Sequence, residues 1–297
     1  MLVIRDWPPI TNPELLERQA LDDERFRALM RDFAGAAGRR PYGAGALEHA
    51  LAYPWQRPER SYLLRDGAVQ LLHELAPEER APTIDAFATG RHPIVAIGSN
   101  AAPRWLAAKC AHFPEERDRT ALVLTGRLHD MDVGPAATIA AYGAMPATLI
   151  ASPGTCARAA ILWLTDAQVE QLTWSEISYR LGRLDSADFT ADEVDVEIHS
   201  LFAYVNRFGT FCPDGEPVAL DAVPATGRIA PARTQRQLLD AAGATLGLAG
   251  AEAVVRAAYD DLAGLLDRAA TTVWRAAERL DGGHWTPYPA EQRLAGG

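Results

Sequence analysis

The residues best suited to chemistry fall in two short strand-to-helix units. The first is residues 93–109, PIVAIGSNAAPRWLAAK, in which an apolar run ends at Gly98-Ser99-Asn100 and Pro103 opens a helix. A turn of this kind points backbone N–H groups outward near a helix N-terminus, which suits a small anion such as a carboxylate. The same residues also serve as an ordinary structural turn, and they lack the spaced glycines of a dinucleotide or phosphate loop. The second unit is residues 161–185, ILWLTDAQVEQLTWSEISYRLGRLD, where Glu176 follows a short helix and Tyr179 stands three residues on. A carboxylate against an apolar wall of Trp163, Leu172 and Trp174 has its ionised form disfavoured, the condition for a general base near neutral pH. The alternative is a surface glutamate at a helix end.

Three further clusters have chemical potential. In residues 204–218, YVNRFGTFCPDGEPV, Arg207 beside Phe208, Phe211 and Cys212 is a candidate rim for a second carboxylate, although Cys-Pro-Asp-Gly is equally plain turn chemistry. Cys212 or Cys156 with His129 or His199 would make a nucleophile–base pair; the spacing selects none, and small buried thiols are the other reading. His129-Asp130-Met131-Asp132 lacks a second ligand at helical spacing, so it reads as a solvated turn rather than a metal site. No metal and no organic cofactor is expected.

In their order along the chain the two units resemble the γ-glutamylcyclotransferase-like superfamily. Its members carry a strand ending in a Tyr-Gly-Ser-Asn or Tyr-Gly-Ser-Leu loop, then a strand–helix unit whose Glu is catalytic. The matching stretches are Ile97-Gly98-Ser99-Asn100, then Pro153-Gly154 with Ala159-Ala160-Ile161-Leu162-Trp163-Leu164, then Leu172-Thr173-Trp174-Ser175-Glu176 and Tyr179. About 75 residues separate loop and Glu, and Leu124-Thr125-Gly126-Arg127-Leu128 and Ala144-Met145-Pro146-Ala147-Thr148-Leu149 resemble the intervening strands. The likeness covers residues 93–210; Ile97 replaces the loop Tyr, and Thr173 replaces an Asp. It implies a small mixed or antiparallel sheet closing toward a barrel, and cyclisation of a γ-glutamyl amide to 5-oxoproline. Glu176 would move the proton, and the loop at Ile97, Gly98, Ser99 and Asn100 would hold the α-carboxylate. Tyr142, Tyr179 and Tyr204 would wall the pocket or pack the core. The implied partner is a small-molecule γ-glutamyl substrate. Two alternatives share the fold: a binding protein that has lost the chemistry, and an enzyme removing a γ-glutamyl protecting group from a biosynthetic intermediate.

The elements that must position these residues follow from composition and periodicity. The chain has 297 residues, 48% hydrophobic and 23% charged, which excludes disordered, collagenous and coiled-coil classes. The formal charge of −10 argues against nucleic acid and anionic membranes as partners, and Lys109 is the one lysine among the basic residues, the rest being arginine. That imbalance reads first as coding bias. No apolar run approaches the ~18 residues of a membrane span, the N-terminus does not read as a signal peptide, and Cys110, Cys156 and Cys212 are too few for a disulfide framework. A soluble, cytoplasmic, reduced protein is expected.

Residues 1–92 read as a helical extension, with Asn12 capping a helix that begins at Pro13 and another helix at 67–75. Tyr53-Pro54-Trp55 and Tyr62 are candidate lid aromatics. Residues 93–235 read as the core, with strands near 93–97, 121–128, 137–142, 147–151, 155–164 and 194–205, Gly-Pro and Pro-Gly turns between them, and a helix at 166–174. Successive strands with tight turns give an α+β class with an antiparallel or mixed sheet. In residues 236–297, Val255, Leu262, Leu266, Val273 and Leu280 form one stripe on a long helix stopped by Gly282-Gly283. That stripe packs on the parent domain or pairs two copies as a homodimer.

Overall fold

The computed structural model describes residues 7–196, 198 and 200–295, and it is an α+β structure built on one large mixed sheet. Helices α1 (Pro13–Ala20), α2 (Asp23–Ala37) and α3 (Ala46–Leu51) precede a hairpin of β1 (Tyr62–Arg65) and β2 (Ala68–Leu71), followed by α4 (Pro77–Ala88). Next come β3 (His92–Ala96), α5 (Pro103–Cys110) and the long strands β4 (Thr120–Pro135) and β5 (Ala147–Leu164). They are followed by α6 (Asp166–Ser175), β6 (Tyr179–Leu184), β7 (Phe189–Ala191) and β8 (Leu201–Asn206). Helices α7 (Gln235–Leu246), α8 (Gly250–Asp260), α9 (Leu262–Thr271) and α10 (Ala290–Ala295) complete the described chain.

Local signals set several of these boundaries. The Asn12 side chain accepts the N–H groups of Glu14 and Leu15 while Pro13, which has no N–H, occupies the first helical position. Thr165 and Gln168 close a reciprocal cap on α6. The apolar run of β3 is buried on both faces, as a central strand is. Ile94 and Ala96 pack in one cluster with residues of α1, α5 and α6, and Val95 and Ile97 pack on the opposite face with residues of α2, α4 and α7–α9.

The sheet runs β2-β1-β4-β5-β3-β8-β6, with Trp285–Pro287 added on the β6 edge; β7 pairs with β4, and Ala225–Thr226 with β5, to give ten strands. Within it β3–β8 is parallel, and the other pairings are antiparallel. The register sets Val95 opposite Ala203 and Tyr179 opposite Asn206. The C-terminal ends of β3 and β8 and the N-terminal end of β6 therefore meet at one edge of the molecule.

The expected closure into a barrel does not occur. Of the 67–75 segment, read as a helix, Ala68–Leu71 is the second arm of a hairpin and only Leu72–Glu74 is helical, as a short 3-10 turn: Asp66 and Gly67 turn the chain with positive φ, and β1 pairs with β4. This hairpin and Trp285–Pro287 occupy the two edges that closure would have joined, so the sheet is larger and open. The strands expected at 147–151 and 155–164 are one strand, β5. Pro153-Gly154 makes a bulge rather than a reversal, with Ala151 and Cys156 both opposite Met131 and the Gly154 N–H bonded to Asp130. Residues 137–142 are loop, and among the described residues of 194–205 strand begins at Leu201. The long C-terminal helix is two, and the second ends at Thr271, short of the expected stop at Gly282-Gly283: Asp261 breaks the run with φ −155° and caps α9 through the Gly264 N–H. Val255, Leu262, Leu266 and Val273 are buried within the chain itself. Among the described residues no single helix is long and apolar enough to cross a membrane.

The 129–132 segment lies on β4 at the bulge, not in a solvated turn. Asp132 is fully buried and takes both Nε and Nη2 of Arg228, at 2.8 and 2.9 Å, while Arg228 also donates to the Val223 carbonyl. Removing one partner of a buried pair strands the other charge without compensation. Arg228→Leu is expected to lower stability by about 3–5 kcal/mol, read from urea unfolding; a loss under about 1 kcal/mol would show that water reaches Asp132.

Candidate functional site

At the edge where β3, β6 and β8 meet, the chain surrounds a cavity of about 300 Å³. Beyond β3, Ile97 and Gly98 lead into a short 3-10 turn, Ser99–Ala101, and then α5. The Ala101 and Ala102 N–H groups close this turn on the carbonyls of Gly98 and Ser99. The turn itself leaves the first N–H groups, those of Gly98, Ser99 and Asn100, unused, and the Ser99 N–H faces the Tyr53 hydroxyl. From the other side, α6 ends at Glu176, whose N–H bonds the Leu172 carbonyl, and three residues later Tyr179 starts β6.

Two side chains from the β3–α5 unit converge on Glu176. Asn100 Nδ2 donates to Glu176 Oε1 at 3.0 Å, Lys109 Nζ donates to the same oxygen at 3.1 Å, and Lys109 Nζ also donates to Asn100 Oδ1 at 2.7 Å. The three groups form a closed ring of hydrogen bonds, with the Lys109 and Glu176 side chains 20% and 16% exposed. Among the described residues nothing bonds Glu176 Oε2, and that oxygen is not sealed from solvent. An ammonium has three donors, so Lys109 also keeps one for a ligand. Lys109 and Glu176 are the only charged side chains lining the cavity among the described residues.

Ile97, Gly98, Ser99, Asn100, Tyr142, Glu176, Tyr179 and Tyr204, all singled out in the sequence, line this cavity. Two of the tyrosine hydroxyls are already engaged. Tyr179 donates to the Ala147 carbonyl at 2.8 Å; Tyr204 bonds Thr173 Oγ1 at 2.8 Å and so ties β8 to α6 through the residue that replaces the expected Asp. The Tyr142 hydroxyl has no partner among the described residues.

Arg207 is elsewhere. It donates to the carbonyls of Arg18 and Leu21 and lies over the Phe26 ring, which makes it a clamp on the α1–α2 connection rather than a substrate rim. The apolar wall expected around Glu176 is also absent, because Trp163, Leu172 and Trp174 do not line the cavity. Trp174 is turned outward under Arg18, and an ionic partner takes the wall's place.

Sequence reasoning passed over Lys109, whose signal was available: it is the one lysine in a chain that otherwise uses arginine. It also left Tyr53 undecided. Tyr53 and Trp55 line the same cavity as Glu176, whereas Tyr62 donates to the Ala101 carbonyl at 2.9 Å from behind the turn. The Tyr53 hydroxyl accepts the Ala147 N–H at 2.8 Å, and it lies 2.4 Å from where a Cβ on Gly98 would sit. A side chain at that position would have to displace the Tyr53 hydroxyl.

Cys156 Sγ lies 3.2 Å from His129 Nδ1, and His129 Nε2 lies 2.9 Å from Thr190 Oγ1. This pair belongs to the β4–β5–β7 ladder and does not line the cavity. Cys212 and Cys110 are buried, and His199 lies outside the described residues. Among the described residues no three His, Cys, Asp or Glu side chains are grouped to hold a metal ion.

No protein-family model and no curated protein matches the chain. The likeness drawn from the motifs of residues 93–210 therefore stands on those residues alone.

Burial pushes the hydroxyls of Tyr53, Tyr142, Tyr179 and Tyr204 above the ordinary phenol range, and the Glu176 carboxylate adds to the effect at each. None of the four serves as a base near neutral pH. In the unfolded chain a phenol ionises near pH 10, so above that pH the unfolded state loses protons that the folded state retains, and stability falls as pH rises. The urea midpoint is expected to drop between pH 9 and about 11, less steeply in Tyr142→Phe; an identical slope in that variant would show Tyr142 exposed. A double-mutant cycle of Lys109→Met and Glu176→Gln in urea is expected to give a coupling of about 1–2 kcal/mol, and a value under about 0.3 would mean that the pair does not interact.

Proposed function

We propose that this cavity converts a γ-glutamyl amide to 5-oxoproline and a free amine. The observation that carries the reading is the Glu176 carboxylate, held by Asn100 and Lys109 through one oxygen only, against the turn at Gly98. Oε1 is fixed in direction by two donors, and Oε2 is left to meet a ligand proton. Tyr53 adds support, because its hydroxyl at Gly98 gives the loop the phenol that Ile97 does not supply.

The chemistry needs no other reactant. The α-carboxylate of the γ-glutamyl group lies against the first N–H groups of the turn and the third Lys109 donor. Glu176 Oε2 takes a proton from the α-ammonium, and the freed amine attacks the γ-carbonyl to form the ring C–N bond. As the original amide C–N bond breaks, Glu176 returns the proton to the leaving nitrogen, and the second proton shed by the ring nitrogen passes to the released amine, which departs as an ammonium. Nucleophile and carbonyl belong to one molecule, so holding the chain in a folded conformer supplies much of the acceleration. Donors fixed beforehand stabilise charge without having to reorganise.

The test is 5-oxoproline release from a panel of γ-glutamyl amides and γ-glutamyl amino acids, with wild type beside Glu176→Gln. Wild type is expected to form product, and the variant to lose at least about a hundredfold in kcat. Glutamine keeps the size of the side chain and one hydrogen-bonding oxygen while losing the proton acceptor. Undiminished turnover in the variant would sink Glu176 as the base, and no product from folded wild type across the panel would sink the reaction.

A further inference from the structure

We infer that the amine half of the amide cleaved at this site is apolar and carries no charged substituent, with a single aromatic ring as its best fit, rather than an amino acid bearing its own carboxylate. The inference rests on the reaction proposed above and adds what the walls of the cavity select.

The first observation is the charge inventory. Lys109 is the sole cation lining the cavity among the described residues, and it faces Glu176 and the end that receives the α-carboxylate. No arginine lines the cavity among the described residues: Arg57 donates to the Ile97 carbonyl, Arg40 to the carbonyls of Ala141 and Ala258, and Arg18, whose charge acts on Glu176, donates to the Trp174 carbonyl behind the wall. A second carboxylate, as in a γ-glutamyl amino acid, would enter without a partner, and burying an unpaired charge is strongly unfavourable. The net charge of −10 works in the same direction.

The second observation is the wall next to the charged end. Trp105 and Lys109 are four residues apart on α5 and so project from one face of it. The Trp105 ring centroid is 5.0 Å from that of Trp55, which is 5.1 Å from that of Tyr142. The three rings pack on one another in tilted contacts and together present an aromatic surface to the cavity, against which one more ring can pack. Met30, Leu262 and Leu266 line the same cavity from α2 and α9. Trp55 is held in place by its indole N–H on the His49 carbonyl at 3.0 Å and by stacking on the His49 ring. Its backbone has φ +63°, a conformation that a bulky residue keeps only where its surroundings impose it, commonly at ligand sites. A volume of about 300 Å³ stands at the lower end of small-molecule sites, which suits a γ-glutamyl group and one ring.

The decisive comparison is γ-glutamyl-phenethylamide with γ-glutamyl-phenylalanine, whose leaving groups differ only by a carboxylate. From 5-oxoproline release, kcat/KM is expected to favour the phenethylamide by at least about tenfold. Trp105→Ala is expected to raise KM for the phenethylamide with little change in kcat, while γ-glutamyl-ethylamide is almost unaffected; Trp105→Leu serves if the alanine variant does not fold. Equal or faster turnover of γ-glutamyl-phenylalanine would overturn the inference and leave the reaction standing. If neither compound reacts, the reaction falls, and binding to the wild type, followed by tryptophan fluorescence, decides the ligand class. Quenching by the phenethylamide at concentrations where γ-glutamyl-phenylalanine has no effect upholds it; equal quenching, or none by either, overturns it.

Discussion

One oxygen of Glu176 receives hydrogen bonds from both Asn100 and Lys109, and the candidate site depends on that shared contact. It joins the turn after β3, the end of α5 and the end of α6. A carboxylate at a helix terminus would otherwise be free to choose rotamers in water. Fixing Oε1 with two donors sets the direction of Oε2 and gives the cavity one chemically distinct end. The ring closes fully, since Lys109 also holds the carbonyl oxygen of the Asn100 amide. A buried polar group is costly unless it is bonded, and here each member satisfies the other two.

A second constraint runs through the backbone of Ala147. Its N–H is bonded to the Tyr53 hydroxyl and its carbonyl to that of Tyr179, so the first residue of β5 is held between the N-terminal region and β6. The Tyr53 hydroxyl also sits so close to Gly98 that any side chain there would displace it. Residues ahead of the sheet core thus form part of the pocket wall instead of decorating it. Trp55 extends the same wall toward α5, and α9 closes it from the other end of the chain. The aromatic surface and the charged end are consequently walls of one cavity, built by elements far apart in sequence.

Much of the local structure was legible. Asn12 and Pro13 mark a helix start, Thr165 marks another, and the apolar run before Gly98 is the central strand. Glu176 and the 98–100 turn were legible as well, because each sits at a strand or helix end with its own local signature. Other features were not. Gly67 looked like part of a helix, but Asp66 and Gly67 with positive φ make a hairpin turn. The Pro153-Gly154 pair looked like a chain reversal and is a bulge within one long strand. In both cases the same residues favour two backbone outcomes, and pairing with β4 decided between them. Arg207 looked like a substrate ligand because it stands in an aromatic loop; carbonyls at the α1–α2 connection claim it instead.

The sequence by itself determined the units: a buried strand leading into a turn and helix at 93–110, a capped helix leading to Glu176, and the α+β class to which they belong. These follow from period, caps and turn residues, which act over a few neighbours. The tertiary structure alone decided which cation meets Glu176, which of several tyrosines reaches Gly98, and whether the sheet closes. Each of those outcomes depends on contacts across 67 to 94 residues or on strands from both ends of the chain. Such contacts are set by strand order and register, which bring the loops and helix ends that carry these side chains to one edge of the sheet.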